Sequence, residues 1–279
     1  MSSPVLVVKP TNPVAHAKNL MLRHKIKHLL VLDKGEAAGM LSMRDIIGRI
    51  SCCSSTRRGR PVDGLSVARV MRRGVITVSA GTELSKTASL MLKHGVGSVL
   101  VQKGKNIAGI VTKTDMVRVF SESLAGRIKV EDLMSTDVIT VGRGRSFARL
   151  TKLMKKHGVG QIVVTEGEKP VGTVTESDIT FAKLDGPVYG TKERKVKYTR
   201  RLERGGRPRA RYVKRITFTP VEGVMSSRVL TVNADGDAAR AAALMVEHDI
   251  SGVPVLKEGK LAGIITKTGL VRGISSLGV

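Results

Sequence analysis

The sequence predicts an α/β fold, α+β in some schemes, in which one strand–helix–strand–strand–helix unit occurs four times. The first observation is four segments that align without a gap: "LMLRHKIKHLLVL" from residue 20, "LMLKHGVGSVLVQ" from 90, "LMKKHGVGQIVVT" from 153 and "LMVEHDISGVPVL" from 244. The second is a shared glycine column at Gly39, Gly109, Gly172 and Gly263, followed by "MLSMRD", "IVTKTD", "TVTESD" and "IITKTG". Agreement at both places indicates internal repeats.

Each element of the unit has its own pattern. Extended segments "VLVV", "VITV", "VITV" and "VLTV" come first and predict a strand. In the first copy Asn12 is a good N-cap with Pro13 as the first helical residue, and an apolar stripe follows. A β-branched column is expected to start the second strand; its members are Ile26, Val96, Val159 and Ile250.

A unit of about 50 residues cannot bury its own sheet face, so we expect the copies to pack in pairs. The first pair is predicted over residues 1–125 and the second over residues 126–279. The repeats span about 1–50 and 70–124, joined by a basic connector at 49–64, and about 131–183 and 221–279, joined by a basic insertion at 184–220.

The composition favours polyanionic partners. Lys and Arg number 48 against 23 acidic residues, giving a net charge of +25, and such a field attracts nucleic acid first and anionic membranes second. No apolar run reaches the roughly 20 residues of a membrane span and no signal peptide is evident, so we expect a soluble cytoplasmic protein without a membrane role. The only cysteines, Cys52 and Cys53, are adjacent and are interpreted as reduced thiols.

The charge peaks in the insertion between the third and fourth repeats, "KERKVKYTRRLERGGRPRARYVKR" from residue 192 to 215, and all three tyrosines lie near it. A charge run of this kind is also typical of a flexible linker. Arginines interleaved with aromatic residues and glycine favour RNA, because they supply phosphate contacts and stacking faces. The residues expected to contact RNA are Lys192, Arg194, Lys195, Lys197, Tyr198, Arg200, Arg201, Arg204, Arg207, Arg209, Arg211, Tyr212, Lys214 and Arg215, with Arg57, Arg58 and Arg60 of the connector.

The repeated strand, helix and terminal G-x-[VI]-[ST]-x-x-D motif resembles the CBS domain over nearly the whole chain except residues 184–220. The lead-ins "VARVMRRGVITV", "VEDLMSTDVITV" and "VEGVMSSRVLTV" are also typical of that family. The resemblance implies two tandem pairs, with adenine nucleotides (AMP, ADP or ATP) as ligands. It also implies that the motif's Asp holds ribose and its Ser or Thr lies near phosphate. The matching positions are Ser42 with Asp45, Thr112 with Asp115, Thr175 with Asp178, and Thr266.

Two departures qualify the expectation of a nucleotide. The fourth repeat has Gly269 in place of the acid, so its site is expected to be empty or weak. The family's basic side chain before the second strand is matched only by His28, whose equivalents are Ser98, Gln161 and Gly252. An Asp in this motif can equally cap the following helix, and that alternative stays open.

The leading hypothesis is a non-enzymatic protein that binds the ribosome or another structured RNA, since some archaeal CBS-repeat proteins that it resembles act as ribosome hibernation factors. One alternative is a nucleotide-sensing regulatory subunit, similar to the gamma subunit of AMP-activated kinase, acting on a protein partner. A DNA-binding regulator ranks lowest because no helix-turn-helix pattern is evident. No metal site is predicted from the Cys and His spacing, and the sequence leaves open whether the two pairs form one disc or the chain forms a homodimer.

Overall fold

The computed structural model describes residues 1–53, 62–104, 106–181 and 220–277. The predicted RNA-binding residues of the 192–215 stretch, and Arg57, Arg58 and Arg60, lie outside the described residues. The predicted four-repeat α/β architecture is confirmed for the part that is described.

In the described part of each repeat, one helix lies between the first two strands and a second, terminal helix follows the last strand of the hairpin. One additional short helix, α5, precedes the first strand of the third repeat. The helices are α1 (Val14–His24), α2 (Met43–Cys53), α3 (Leu84–Lys93), α4 (Lys113–Ser123), α5 (Val130–Leu133), α6 (Phe147–His157), α7 (Glu176–Phe181), α8 (Ala238–Glu247) and α9 (Lys267–Leu277). Short 3-10 helices at Val62–Gly64, Val67–Arg69 and Val221–Gly223 precede the second and fourth repeats.

Each repeat contributes one small sheet. The strands are β1 (Val7–Val8), β2 (His28–Asp33), β3 (Glu36–Ser42), β4 (Arg72–Arg73), β5 (Thr77–Ser79), β6 (Ser98–Lys103), β7 (Asn106–Thr112), β8 (Thr140–Gly142), β9 (Gln161–Glu166), β10 (Lys169–Thr175), β11 (Val232–Asn233), β12 (Gly252–Lys257) and β13 (Lys260–Thr266). The sheet orders are β1-β2-β3-β4, β5-β6-β7, β8-β9-β10 and β11-β12-β13. In every sheet the first strand is parallel to the second, and the second and third form an antiparallel hairpin.

Two predicted boundaries are wrong by one or two residues. Helix α1 begins at Val14 with Pro13 as its N-cap, while the Asn12 side chain accepts a hydrogen bond from the Lys9 N–H at 2.7 Å instead of capping the helix. The second strand begins at His28 and not at Ile26, because the Ile26 N–H donates to the Met21 carbonyl at 3.0 Å and so closes the helix. The three equivalent β-branched residues make the same bond.

The repeats exchange a segment within each sequential pair. A methionine recurs in the lead-in to each repeat, and we define the lead-in position as the residue that follows it. This position is occupied by Ser2, Arg72, Ser135 and Ser226. Ser2 pairs with Ile110 of the second repeat, and Arg72 pairs with Met40 of the first. Ser135 and Ser226 pair with Ile264 and Thr173 in the same reciprocal manner.

This exchange explains the glycine column found in the sequence. A Cβ at Gly109 would lie 2.9 Å from the Ser2 carbonyl oxygen, and one at Gly263 would lie 2.9 Å from that of Ser135. At Gly172 the distance to the Ser226 carbonyl oxygen would be 3.0 Å, and at Gly39 the Arg72 carbonyl oxygen is closer still. Glycine is therefore needed because the exchanged backbone lies directly on the strand.

Helices join the repeats across the two pairs. Helices α4, α8 and α9 of the second and fourth repeats share one continuous core that includes Phe120, Met245 and Leu270. The first and third repeats have two distinct core clusters, and they meet mainly where α2 packs on α6 and α7, with Ile47 of α2 in the cluster of the third repeat. At these interfaces the start of α2 contacts the start of α7, and the start of α4 contacts the start of α9.

Candidate functional site

Three predicted site pairs form helix caps. Ser42, Thr112 and Thr175 directly precede α2, α4 and α7. The Oδ2 atom of Asp115 accepts hydrogen bonds from the Thr112 N–H at 2.9 Å and from its hydroxyl at 2.6 Å. Asp45 makes the same bonds to Ser42 at 2.9 and 2.5 Å, and Asp178 makes them to Thr175 at 2.7 and 2.8 Å. The capping alternative is therefore realised, and it uses one carboxylate oxygen of each Asp.

The second carboxylate oxygen meets a cation in two of these caps. Asp45 Oδ1 lies 3.1 Å from Arg72 Nε, and the Asp45 side chain is only 10% exposed. Asp115 Oδ1 lies 3.7 Å from the amino group of Met1. A ribose hydroxyl at either carboxylate would share it with a positive charge.

The fourth cap lacks its acid for a packing reason. Thr266 Oγ1 accepts a hydrogen bond from the Gly269 N–H at 3.2 Å. A Cβ at Gly269 would lie 2.6 Å from the Leu133 carbonyl oxygen of α5, which packs against the start of α9. No side chain fits there without displacing backbone, so this repeat cannot hold the carboxylate of the other three.

Two lysines meet across the second and fourth repeats. Lys113 Nζ donates to Thr268 Oγ1 at 2.9 Å, and Lys267 Nζ donates to Thr114 Oγ1 at 2.9 Å, so the two contacts are reciprocal. On the other side of the centre, Arg44 Nε donates to Glu176 Oε1 at 2.9 Å. Since these residues occupy the first turn of their helices, the positive ends of four helix dipoles add to the charge of the side chains.

Lys27 and His28 complete this centre. Lys27 Nζ lies 2.9 Å from Asp249 Oδ1, and Lys267 Nζ lies 3.9 Å from the same oxygen. His28 is packed so closely on the second repeat that a Cβ at Gly97 would lie 2.6 Å from its Nε2 atom. We call this group the central cationic cluster; its cations are Lys27, Arg44, Lys113 and Lys267, its acids are Glu176 and Asp249, and the imidazole of His28 lies among them.

The cluster changes the acidity of three members. Burial, followed by the positive charges of Arg44 and nearby lysines, lowers the pKa of His28 to about 4. Burial, followed by Arg44, lowers the pKa of Lys113 to about 8. Burial, followed by Lys27, lowers the pKa of Lys267 to about 8. His28 is therefore neutral near pH 7. Lys113 and Lys267 are desolvated cations with few counterions, and they favour an anion because an anion would restore the lost stabilisation of their charged forms.

Arg44, Lys113 and Lys267 were not among the site residues predicted from the sequence. They stand between the hydroxyl and the acid of the terminal motif, in "SMRD", "TKTD" and "TKTG", where they read as ordinary first-turn helix residues. The signal that could have found them is that the second and third residues of the terminal motif come together from different repeats when the repeats pack around a shared centre. In contrast, His28 was predicted, and the structure places it beside these cations.

Other kinds of site are not found in the described residues. Across residues 1–53, 62–104, 106–181 and 220–277, no group of three His, Cys, Asp or Glu side chains could hold a metal ion. Within the same ranges, no helix combines the length and apolarity needed to cross a membrane.

Comparison with known families decides the identity of the repeat. The CBS domain matches four times, at residues 1–52, 67–122, 130–185 and 221–276. The chain belongs to the CBS domain family. The four matched ranges coincide with the four sheets and their helices, so the predicted resemblance is confirmed.

Relatives of this CBS protein include archaeal chains that align with nearly all of its residues. One, a protein of unknown function from Methanocaldococcus jannaschii, is 30% identical over 283 residues, which is 99% of this chain and 61% of the relative's length. Another, an uncharacterised protein in a ribosomal RNA operon of Thermofilum pendens, is 25% identical over 278 residues, covering 95% of this chain and 86% of the relative. This chain therefore spans less than two thirds of the first relative.

The arrangement of the repeats is shared with a solved structure. A Methanocaldococcus jannaschii protein, described as a candidate archaeal homologue of the gamma subunit of AMP-activated kinase, matches with a TM-score of 0.78. The match covers 98% of this chain and 97% of the other at 20% sequence identity, so it establishes likeness of fold.

Proposed function

We propose that this CBS protein is a non-enzymatic, cytoplasmic factor that binds the ribosome or another structured RNA through its basic insertions and acts in hibernation or inhibition of translation. The observation that carries the proposal is the distribution of charge: twelve of the 48 Lys and Arg residues fall between positions 192 and 215. A nucleotide sensor that acts on a protein does not need such a field, whereas RNA binding does.

A relative supports the same partner. The Thermofilum pendens protein is encoded in a ribosomal RNA operon and aligns with 95% of this chain. We propose that the connection with the ribosome suggested by that gene position also holds for this chain.

The test is co-sedimentation of the purified protein with ribosomes at low and moderate salt. We expect the full chain to sediment with ribosomes at 50 mM salt, and about eight phosphate contacts would lower its affinity on the order of a thousandfold by 200 mM. Deletion of residues 192–215 should abolish most of the binding. Equal sedimentation of the deletion variant, or no sedimentation of the full chain, would refute the proposal.

We further propose that the central cationic cluster binds the phosphates of AMP, ADP or ATP and makes RNA binding responsive to nucleotide. Lys113 and Lys267 offer ammonium groups at the starts of α4 and α9, and a helix start favours phosphate. The Asp of a terminal motif would accept hydrogen bonds from the ribose hydroxyls.

Calorimetry with AMP and adenosine tests this second part. We expect AMP to bind and adenosine to bind much more weakly, because only AMP carries the phosphate. The K113Q/K267Q variant should lose the difference, whereas K103Q, which changes an exposed lysine of β6, should keep it. Equal affinity for both ligands in the unaltered protein would refute phosphate recognition at the cluster.

The likeness of fold to the gamma-like archaeal structure favours a second candidate, a regulatory subunit that acts on a protein partner. Pull-down from lysate with and without nuclease separates the two. Partners lost after nuclease treatment support RNA binding, while a protein partner retained after nuclease treatment supports the regulatory subunit.

A further inference from the structure

The outer face of α6 carries a row of positive side chains. Arg149, Lys152 and Lys156 are three and four residues apart, so they lie in one row about 10 Å long. All three are exposed. The opposite face of the helix is buried, with Phe147 at 1%, Leu150 at 0% and Met154 at 3% exposure. We call these three residues the α6 row.

The packing of α6 does not require this charge. A helix with one buried face needs polar residues outside, but cations three and four residues apart repel one another. No ion pair of Arg149, Lys152 or Lys156 is found among the described residues, and the nearby Glu222 is engaged by Arg143 at 3.3 Å. The row is therefore a concentration of positive charge without a matching acid in the described structure.

The other three repeats act as internal comparisons for the same positions. The equivalent residues are His16, Asn19 and Arg23 in the first repeat, Lys86, Ser89 and Lys93 in the second, and Arg240, Ala243 and Glu247 in the fourth. In the second repeat Lys86 pairs with Glu83 at 3.2 Å. Three cations in one row are therefore a property of α6 and not of the CBS fold.

The basic insertion rejoins the folded structure at the start of this helix. Pro220, the last residue of the insertion and the first that is described there, bridges to Ser146, the N-cap of α6. The Val221 N–H donates to the Arg145 carbonyl at 2.8 Å, and the Glu222 N–H donates to the Arg143 carbonyl at 3.1 Å. The insertion is thus covalently joined to the folded protein beside the α6 row.

The basic connector also begins beside this helix. Helix α2, which leads into the connector, packs against α6, and Ile47 of α2 belongs to the same core cluster as Leu150. The two most basic segments of the chain therefore have attachment points near one folded face.

We propose that the α6 row is a docking surface for the sugar–phosphate backbone of a structured RNA. This inference rests on the proposed RNA binding and adds the folded face that meets the RNA. Arg and Lys contacts to phosphates neutralise charge without reading base sequence, so the row sets the placement of the RNA and not its sequence.

The experiment compares two triple variants of the full chain. R149Q/K152Q/K156Q removes the row, and K93Q/K103Q/K257Q removes three exposed lysines from the second and fourth repeats. Both lower the net charge by the same amount, and Gln is a good helix former. Binding to purified ribosomal RNA is measured by filter binding between 50 and 200 mM salt, and thermal unfolding checks that both variants fold.

We expect the row variant to bind more weakly and to lower the slope of log affinity against log salt by roughly 2 to 3. The control variant should keep a slope near that of the unaltered protein. Equal slopes for the two variants would overturn the docking surface while leaving RNA binding intact. Absence of RNA binding by the unaltered protein would overturn both proposals.

An anionic membrane is the competing partner for a basic face. Vesicles of phosphatidylserine and phosphatidylcholine should bind the row variant and the control variant alike. Selective loss of vesicle binding by the row variant, with RNA binding unchanged, would overturn the proposal in favour of a membrane surface.

Discussion

Arg72 is the exceptional residue among the four lead-in positions. The other three repeats have serine there, at Ser2, Ser135 and Ser226. Arg72 leads into the second repeat, and its side chain reaches the helix cap of the first. Its guanidinium lies 3.1 Å from Asp45 Oδ1 and so occupies the carboxylate oxygen that capping leaves available. Under the proposed binding mode, Arg72 competes with ribose at the first repeat.

Replacing Arg72 with serine should therefore strengthen binding of adenosine ligands at the first repeat. A partly exposed ion pair contributes up to about 1 kcal/mol, which corresponds to about fivefold in affinity. Calorimetry of R72S with AMP measures the gain. The double variant R72S/D45N should lose it, and a gain that persists in the double variant would show that Asp45 does not hold the ribose.

Lys267, which is buried, and Lys113, which is partly buried, predict a pH dependence for phosphate ligands. Since the pKa of Lys113 and that of Lys267 are lowered to about 8, both ammonium groups are largely lost by pH 9. Affinity for AMP should fall as pH rises from 7 to 9, and binding near pH 8 should take up protons. Calorimetry in buffers of different ionisation enthalpy measures both effects, and K113Q/K267Q should remove them. Affinity that does not change over this range would contradict the prediction.

Without ligand, the same two lysines are expected to make the folded protein more stable, not less, as pH rises. The unfolded chain holds these lysine protons up to the ordinary pKa of 10.5, whereas the folded protein releases them near 8. Because the unfolded state then binds more protons, the free energy of unfolding should rise with pH between about 8 and 10.5 through these two groups.

Among the elements, the terminal helices show how far the sequence predicts the site. The [ST]-x-x-D pattern after a strand is a capping box that the sequence displays directly, and the three caps have that geometry. The absence of the fourth acid was also visible as Gly269. Its cause was not visible, because the Leu133 carbonyl comes from α5, a distant segment of the chain that only the folded structure brings to α9.

Helix α9 should therefore not tolerate restoration of the motif. A Cβ at Gly269 would lie 2.6 Å from the Leu133 oxygen, so G269A should lower the free energy of unfolding by about 1–3 kcal/mol and G269D by at least as much. Urea unfolding measures the loss. In G48A, by contrast, the Cβ would meet nothing within 4 Å, and this helical replacement should stabilise by about 0.5–1 kcal/mol. A stable G269D that gains AMP affinity would contradict the packing explanation.

In the whole molecule, the two helix interfaces differ in kind. The second and fourth repeats share one core, while the first and third keep two. The sequence predicted four repeats because their periodicity is local. It did not predict which helices meet across the pairs, because every copy has a similar apolar stripe.

We propose that residues 1–125 and 126–279 are the units that fold as pairs, because each retains both of its exchanged lead-ins. The 1–125 fragment alone loses the partners of α4, whose Met116, Val117 and Phe120 are fully buried in the shared core. It should fold and form a dimer through that face. Light scattering with size-exclusion chromatography measures the mass, and a folded monomer at all concentrations would contradict the prediction.

The exchanged lead-ins also bear on how such a chain arose. Each repeat has a glycine against which the backbone of another copy lies, so a chain with one repeat would obtain the same contact by pairing with a second molecule of itself. Gene fusion would have turned that encounter into an intramolecular one, with an effective concentration set by the linker and no longer by expression level. Once the partners were tethered, the sequences of the copies were free to diverge, and one lead-in could become arginine while the other three remain serine.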